Sequence, residues 1–500
     1  MKLVETIKDR CHECYACVRN CPSKAVRVKN GQAEVIQDRC INCANCVKIC
    51  SQGAKRVKKY NDKISQLLES DRKIVVGLAP SFPAFTPEAS FADWENYLLE
   101  IGFDDVYEVA WGARLMIDKY KDYLQNNEFT VLSSACPVIV NYIEKYYPEL
   151  VPNLAPIVSP MGALVEYIDR VEKEGTNIVL IGPCHAKKSE FATDDRVAAV
   201  MTYTEIMELG RTISIEIKSS GKNREEIKTT EPGEKARRIP LAGGLKEALQ
   251  PTAKDDNFIR VEGSEKLFEL FELISKDEIH PFFVDALFCQ GCISGVDLWE
   301  KSYFKKKEAL SSFIQTHSSG DRHEYRPELI SELDLSRQFE PDFQQLPQPD
   351  EEEIWEILNK TNKYGEDDLL NCGACGYNSC RKKAIAVYQG LAEVTMCLPY
   401  LLTEKRSEIK KVHELNRELD SLINSSYDGM IVVDGEGRVE RVNDSYLEMI
   451  GLSRDKVIDR AITELEDKRI IYPSVSLLSL REKRNITIVQ QTGNGRKILV

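Results

Sequence analysis

Three things are scarce in this 500-residue chain, and each scarcity removes a class of function. Positive charge is short: 67 Lys and Arg face 80 Asp and Glu, a formal net charge of −13. A polyanion would be repelled over most of such a surface, which speaks against general nucleic-acid binding. Long apolar runs are missing. Nothing approaches the roughly 20 consecutive apolar residues of a membrane span. The opening stretch, Met1-Lys-Leu-Val-Glu-Thr-Ile-Lys-Asp-Arg10, lacks the apolar core of a signal peptide. The expectation is a cytoplasmic protein with neither a nucleic-acid nor a membrane partner. Finally, residues 421–500 contain no His and no Cys, so that stretch has no histidine for a haem. A flavin or no ligand at all remains open there.

Cysteine, by contrast, is abundant, with sixteen in the chain. Eight fall in residues 11–50, four stand at the ends of apolar runs in the middle, and four lie in 372–397. The spacings do not suit a secreted disulfide framework. They suit four tetrathiolate sites in a reducing compartment. The length allows three or four domains, and 42% apolar content supports real cores.

The middle of the chain is organised around Phe129-Thr-Val-Leu-Ser-Ser-Ala135-Cys136-Pro137. A β-branched, apolar run ends in small residues, one cysteine and a proline. That pattern predicts a buried strand handing a thiolate to a loop. It recurs as Asn177-Ile-Val-Leu-Ile-Gly-Pro-Cys184 and as Pro281-Phe-Phe-Val-Asp-Ala-Leu-Phe-Cys289-Gln-Gly-Cys292. In open α/β sheets, ligands sit outside the carboxyl ends of parallel strands. Cys136, Cys184, Cys289 and Cys292 are therefore expected to hold a metal cluster. Zinc and a bare 4Fe–4S cube are both open at this point.

Cys11-x2-Cys14-x2-Cys17-x3-Cys21-Pro22 recurs 29 residues later as Cys40-x2-Cys43-x2-Cys46-x3-Cys50. This resembles a bacterial ferredoxin with two 4Fe–4S clusters. The resemblance implies that the fourth cysteine of each run crosses to the other cluster. The ligand sets would be Cys11, Cys14, Cys17, Cys50 and Cys40, Cys43, Cys46, Cys21. Ser51 stands where a second proline is usual. The basic tail Lys55, Arg56, Lys58, Lys59 reads as a solvated face or as a dock for an acidic redox partner.

Residues 72–335 alternate strand and helix patterns, with a first strand in 72–80 and helices at 91–101 and 138–147, which predicts a parallel α/β domain. Its cysteine loops resemble the three signature loops of the iron–iron hydrogenases. The first, Thr-Ser-Cys-Cys-Pro in the family, is Ser133-Ser134-Ala135-Cys136-Pro137. The second, Met-Pro-Cys-x-x-Lys-x-x-Glu, is Gly182-Pro183-Cys184-His185-Ala186-Lys187-Lys188-Ser189-Glu190. The third, Glu-x-Met-x-Cys-x-x-Gly-Cys, is Asp285-Ala286-Leu287-Phe288-Cys289-Gln290-Gly291-Cys292, one residue shorter between the cysteines. Pro240-Leu-Ala-Gly243-Gly244-Leu-Lys-Glu-Ala-Leu249 is similar to the family's Gly-Gly turn and helix beside the active site. The resemblance implies an H-cluster: a cube on Cys136, Cys184, Cys289 and Cys292, with Cys292 bridging to a two-iron unit carrying CO, cyanide and a dithiolate amine. Lys187 would donate to a cyanide. Gly243 and Gly244 would let backbone approach the diiron unit, and Ser134 would border it. The family's proton-relaying cysteine is Ala135 here, which has no transferable proton. Gly182 and Leu287 replace methionines, and Met161 stands where glutamine is common. Such changes around a metal site alter its behaviour.

Residues 336–370 are polar and proline-bearing, and read as a linker or domain surface. Cys372-Gly-Ala-Cys375-Gly-Tyr-Asn-Ser-Cys380, with Cys397 beyond, resembles the small 4Fe–4S domain of corrinoid iron–sulfur proteins, with zinc as the alternative. A helix at 384–392 is expected to return the chain to Cys397. Val412, Leu415, Leu419 and Leu422 follow 3–4–3 spacing in a helix over 401–424, which suits a homodimer seam or packing on a neighbouring domain. The text from Asp428-Gly429 to Gly451 resembles a PAS sensor domain, with last strands expected at 486–491 and 497–500, short of a complete PAS sheet.

The expected architecture is thus multidomain, mixing α+β and α/β. It comprises a two-cluster ferredoxin (1–60), an H-cluster domain (72–335), a small 4Fe–4S domain (356–400), a signalling helix (401–424) and a PAS domain (425–500). Cofactors would be three 4Fe–4S clusters and an H-cluster. Partners would be H2 and protons, a redox protein such as ferredoxin, and a downstream signalling protein or output domain. The resemblance implies a sensor with at most slow hydrogenase activity; a working hydrogenase and a non-catalytic electron carrier are the alternatives.

Overall fold

The duplicated cysteine run becomes a duplicated conformation. In the computed structural model, which describes residues 3–172, 175–218, 233–249, 257–316, 330 and 332–500, one-turn helices Ala16–Arg19 and Asn45–Lys48 occupy equivalent places in the two runs. Each follows two left-handed residues, Glu13 and Tyr15 in the first run, Asn42 and Ala44 in the second. Left-handed geometry costs an L-residue roughly 1–2 kcal/mol, so its recurrence marks a loop curled for a purpose. Strands β1 (Val4–Thr6), β2 (Val26–Lys29), β3 (Gln32–Val35) and β4 (Lys55–Val57) pair antiparallel as β1–β4 and β2–β3.

The central domain contributes β5 (Ile74–Leu78), β6 (Asp105–Glu108), β7 (Val131–Leu132), β8 (Asn177–Ile181), β9 (Val197–Met201), β10 (Phe258–Glu262) and β11 (Phe283–Leu287). All pair parallel, but in two sheets, ordered β6-β5-β8-β9 and β10-β11-β7. Strands buried on both faces need near-continuous apolar text, and every residue of β5 and β11 is buried. The three cysteine-bearing strand ends therefore do not share one edge. Cys136 and Cys289 follow β7 and β11 of one sheet, whereas Cys184 follows β8 of the other.

Local chemistry sets the helix ends. Phe91–Ile101 forms as expected, with a Ser90/Asp93 capping box and left-handed Gly102 behind it. Pro137 opens the helix Pro137–Tyr146, because proline lacks only an N–H that the first turn would leave unpaired. Helix Ala110–Gln125 packs on Pro160–Val171 through Gly112, where a Cβ would lie 2.0 Å from the Pro160 carbonyl oxygen. The helix expected at 384–392 runs instead over Cys380–Tyr388. Ser379 caps its start by accepting from the Lys382 N–H, and Gly390 in the left-handed region follows its end. The third cysteine of that domain thus opens the helix.

Residues 335–347 do not hang free as a linker. Leu335 O accepts from Val158 N, Arg337 N donates to Pro156 O, and Asp342 N and Gln344 N donate to Glu144 O and Lys145 O. Arg39 reaches Gln344 O at 2.7 Å. The strap thereby ties the ferredoxin, central and small cysteine domains within one compact unit, Met1–Cys397.

The second unit, Leu398–Val500, is described by itself. Its 28-residue helix Leu398–Ser425 is longer at both ends than the expected 401–424. A hairpin of β12 (Ile431–Val433) and β13 (Val439–Val442) and a sheet of β14 (Ile471–Tyr472), β15 (Val489–Thr492) and β16 (Lys497–Leu499) enclose a core that includes Val439, Tyr446, Ile462 and Ile471. Asn443, fully buried, donates to Ile423 O and Asp428 O and accepts from Met430 N and Tyr446 N. It joins the end of the long helix to the hairpin.

Two buried ion pairs hold the central domain. Glu205 meets Lys188 at 2.7 Å and also accepts from Thr202 N and Tyr60 N. Glu108, at the end of β6, meets Arg237 through 2.9 and 2.8 Å contacts, with both side chains almost inaccessible. Removing one partner strands the other charge, so Glu108→Ala should cost about 3–5 kcal/mol, and Glu108→Leu with Arg237→Met less than either single change. Anaerobic urea unfolding of the three variants checks this; a larger loss in the double variant contradicts it.

Candidate metal centres

The three strand ends bring Cys136, Cys184, Cys289 and Cys292 together although they belong to two sheets. Burial, followed by the neighbouring Cys136 charge, pushes the Cys184 thiol up to about 11, with Lys187 pulling the other way. Burial and then Cys184 and Cys136 push Cys292 up to about 12, and Cys289 rises further for the same reasons. Each thiol's chief electrostatic neighbours are the other thiols. Cys292 retains accessible surface even though protein surrounds its sulfur. Its N–H donates to Pro240 O at 2.7 Å, so the third loop is clipped to the segment carrying Gly243 and Gly244.

Those glycines have immediate reasons. Gly243 takes φ 84°, and a Cβ on Gly244 would lie 2.1 Å from Arg238 O. The helix Gly244–Leu249 that follows is held by Asp285 of β11, whose carboxylate accepts from Lys246 N at 3.0 Å. Burial pushes Asp285 up to about 6, against the pull of the Lys246 and Leu245 N–H groups.

Lys187 is buried, and its ammonium meets Glu190 at 2.6 Å and Ala135 O at 3.5 Å. Glu190 in turn meets Arg337 of the strap at 2.9 Å. These two cations hold its carboxyl below the usual range in spite of burial. An ammonium has three donors, so Lys187 keeps one for a further acceptor. Beside Ala135, the hydroxyls are committed. Ser134 Oγ lies 2.9 Å from Tyr120 Oη and donates to Ile157 O at 2.8 Å. Ser133 Oγ accepts from Ala286 N at 2.9 Å. Gly182 and Met161 form one arrangement: a Cβ at Gly182 would lie 2.9 Å from the Met161 methyl. Met161 fills the place that a side chain at 182 would take.

In the ferredoxin region the structure groups the cysteines crosswise. Cys17 is surrounded by Cys11, Cys14 and Cys50, whereas Cys43 and Cys46 are surrounded by Cys21 and Cys40. Ala25 N donates to Cys21 Sγ and Ala54 N to Cys50 Sγ, both at 3.2 Å, again 29 positions apart. Such donors to sulfur tune iron–sulfur potentials. In the third region Cys375 lies near Cys372 and Cys397, while Lys383 is influenced by Cys375, Cys380 and Cys397. Buried Lys363 donates to Cys397 Sγ at 3.3 Å.

Tyr120, Asp285, Glu190, Arg337, Lys363 and Lys383 had not been singled out in the sequence. Only Glu190 and Asp285 carried a signal, as the last residue of the second loop motif and the first of the third. The donor chemistry suits iron–sulfur clusters: groups of four thiols, buried or half-buried, with amide and ammonium donors alongside. Among the described residues, no three His, Cys, Asp or Glu side chains converge closely enough to bind a single metal ion.

Residues 72–296 match the family described as the iron-only hydrogenase large subunit, C-terminal domain. Residues 3–51 match the 4Fe-4S dicluster domain, 370–399 an Fe-S cluster family, and 417–483 the PAS domain. Among curated proteins, iron hydrogenase 1 of Clostridium pasteurianum is 27% identical over 26% of this chain and 26% of its own length. The cytosolic Fe-S cluster assembly factor NAR1 of Kluyveromyces lactis is 27% identical over 32% of this chain and 37% of its own. The chain thus spans roughly a quarter to a third of these relatives. A solved iron–iron hydrogenase from Chlamydomonas reinhardtii aligns with a TM-score of 0.41 at 16% identity, over 56% of this chain and all of that one. No helix among the described residues is long and apolar enough to cross a membrane.

Asp285 yields a pH test. Its pKa is raised above the ordinary 3.8, so the fold favours the protonated form. That stabilisation is fully present below the unfolded value and is lost as pH rises through about 6. Asp285→Asn should remove this loss, worth up to about 3 kcal/mol, and flatten unfolding stability between about pH 4 and 6. An unchanged pH profile counts against it. Taken together, this chain combines an iron-only hydrogenase large-subunit domain with a 4Fe–4S dicluster domain, a further Fe–S domain and a PAS domain.

Proposed function

We propose that the chain is a sensory relative of the iron–iron hydrogenases, reading H2 or redox state at an H-cluster and turning over slowly. Cys136, Cys184, Cys289 and Cys292 would hold its cube, with three further 4Fe–4S clusters on the crossed ferredoxin sets and on Cys372, Cys375, Cys380 and Cys397. When bound, the H-cluster supplies a redox-active iron site for H2. The chain's own residues do the rest. Lys187, held by Glu190, would donate its remaining N–H to an anionic ligand of the cluster, and the Gly243–Gly244 turn is pinned beside the third cysteine loop. The PAS unit would pass the change to an output partner.

The observation that carries this reading is Ala135. A proton relay needs a transferable proton at hydrogen-bond reach, and alanine has none. The neighbouring hydroxyls of Ser133 and Ser134 are already engaged with Ala286 N, Ile157 O and Tyr120. A fast hydrogenase using a serine path is therefore less well supported. A non-catalytic iron–sulfur role remains the second reading, favoured by the similarity to the NAR1 assembly factor. Val412, Leu415, Leu419 and Leu422, all exposed on the long helix, support a homodimer seam.

Anaerobic maturation followed by infrared spectroscopy should show metal-bound CO and cyanide bands that shift under H2. Their absence in iron-replete protein favours the non-catalytic reading. Ala135→Cys should raise H2 turnover on the order of 10²-fold, within the usual range for a positioned acid–base group, with iron content unchanged. Fast wild-type turnover unaffected by this substitution overturns the sensory reading.

A further inference from the structure

The small cysteine domain packs on the ferredoxin domain through one face. Tyr377 is buried in the same apolar cluster as Cys17, Val18, Cys21 and Val26. Gly376 takes φ 92°, and a Cβ there would lie 3.3 Å from Val18 Cγ1 and 3.4 Å from Arg19 N. The backbones join as well. Val28 N donates to Leu391 O at 3.0 Å, and the Glu393 carboxylate accepts from Asn30 N at 2.6 Å and Gly31 N at 3.1 Å. The Lys24 ammonium lies 5.9 Å from the centre of the Tyr377 ring.

The ring belongs to an apolar cluster that includes Cys21 of one domain and has Cys375 of the other packed against it. Burial raises the Tyr377 hydroxyl's pKa, and the charges that add to the effect are those of Cys375 and Cys21. Lys24 likewise lies under the influence of Cys21 and of Lys382, which follows Cys380. Cys21 groups with Cys40, Cys43 and Cys46 rather than with the Cys11 set. On its other side that same group adjoins the hydrogenase-like site. Ile41 and Cys43 share an apolar cluster with Cys136, Cys184 and Cys289, and Asn141 donates to Ile41 O. One thiol group therefore borders two others, through different corners.

We propose that the Cys372–Cys397 domain is a lateral electron port. One electron at a time passes between the cluster of Cys372, Cys375, Cys380 and Cys397 and that of Cys21, Cys40, Cys43 and Cys46, across the Tyr377–Cys21 contact. The inference rests on reading these thiols as cluster ligands, as in the proposed function, and deepens that reading by fixing where the extra domain joins the relay. The step balances by itself: one cluster is oxidised by one electron, the other is reduced by one, and no bond or proton changes hands. Tyr377 is a positioning residue. Its buried ring packs in the apolar cluster that Cys21 and Cys375 share.

The test is electron paramagnetic resonance on the full, anaerobically loaded chain reduced with dithionite. Two reduced cubes in close apposition split each other's signals. The expected result is a component of splitting, beyond that of the two ferredoxin cubes on each other, that is lost in Cys380→Ala, with the iron content falling by one cluster. Tyr377→Phe should keep the splitting. Glu393→Ala, which loosens the contact without touching a thiol, should narrow it at unchanged iron content. A small-domain signal without splitting, or a splitting pattern identical in the unsubstituted chain and in Cys380→Ala, overturns the port. Infrared bands of CO and cyanide report separately on the hydrogenase-like site. Bands without splitting sink the port alone, and splitting without bands sinks the sensory reading alone.

Discussion

The structure depends on one electrostatic constraint: thiols that the fold forces together inside protein repel one another once they ionise. Burial and mutual charge raise Cys40, Cys184 and Cys292 into the range of about 11 to 12. An apolar interior penalises charge, and like neighbours add to the penalty. Such groups stay protonated on their own and ionise together only when something cationic joins them. A cluster of iron ions meets that need, and the chain adds its own cations, with Lys187 beside one group and Lys363 and Lys383 beside another. The remaining architecture follows from placing these groups. Parallel strands end where thiols are wanted, glycine turns let loops close over them, and the strap of residues 335–347 stitches the domains so that the groups adjoin.

The departures from the iron–iron hydrogenase pattern read differently once packing is known. In the sequence, Gly182 and Met161 are two separate losses. In the structure they are one exchange, because the Met161 side chain fills the volume that a longer residue at 182 would occupy. Ala135 has no such compensation. Its neighbours' hydroxyls are engaged in holding the loop, and the nearest cation, Lys187, is shared with a carboxylate.

Much of this was legible in the residues. The 29-residue repeat carried the duplicated loop and one-turn helix of the first domain, and its resemblance to ferredoxins supplied the expectation of crossed cysteine sets. Apolar runs ending in Cys marked β7, β8 and β11, and the helix Phe91–Ile101 was plain from its periodicity and its cap. What stayed hidden is non-local. The division of the strand ends between two sheets depends on pairings across the chain, and β7 is only two residues long. Arg337 reaches Glu190 from a segment whose polar, proline-bearing text reads as a linker. Lys363 and Lys383 look like surface residues in sequence, yet each is buried beside a thiol group.

The central claim is that four thiols from three distant strand ends act as one metal-binding unit. Native mass spectrometry of the anaerobically loaded chain and its Cys289→Ala variant tests it most directly. The account predicts that this single substitution removes the whole iron–sulfur complement of the strand-end site while the masses of the other three clusters remain. Retention of every cluster in Cys289→Ala, or an intact chain carrying zinc in place of iron at that site, would contradict it.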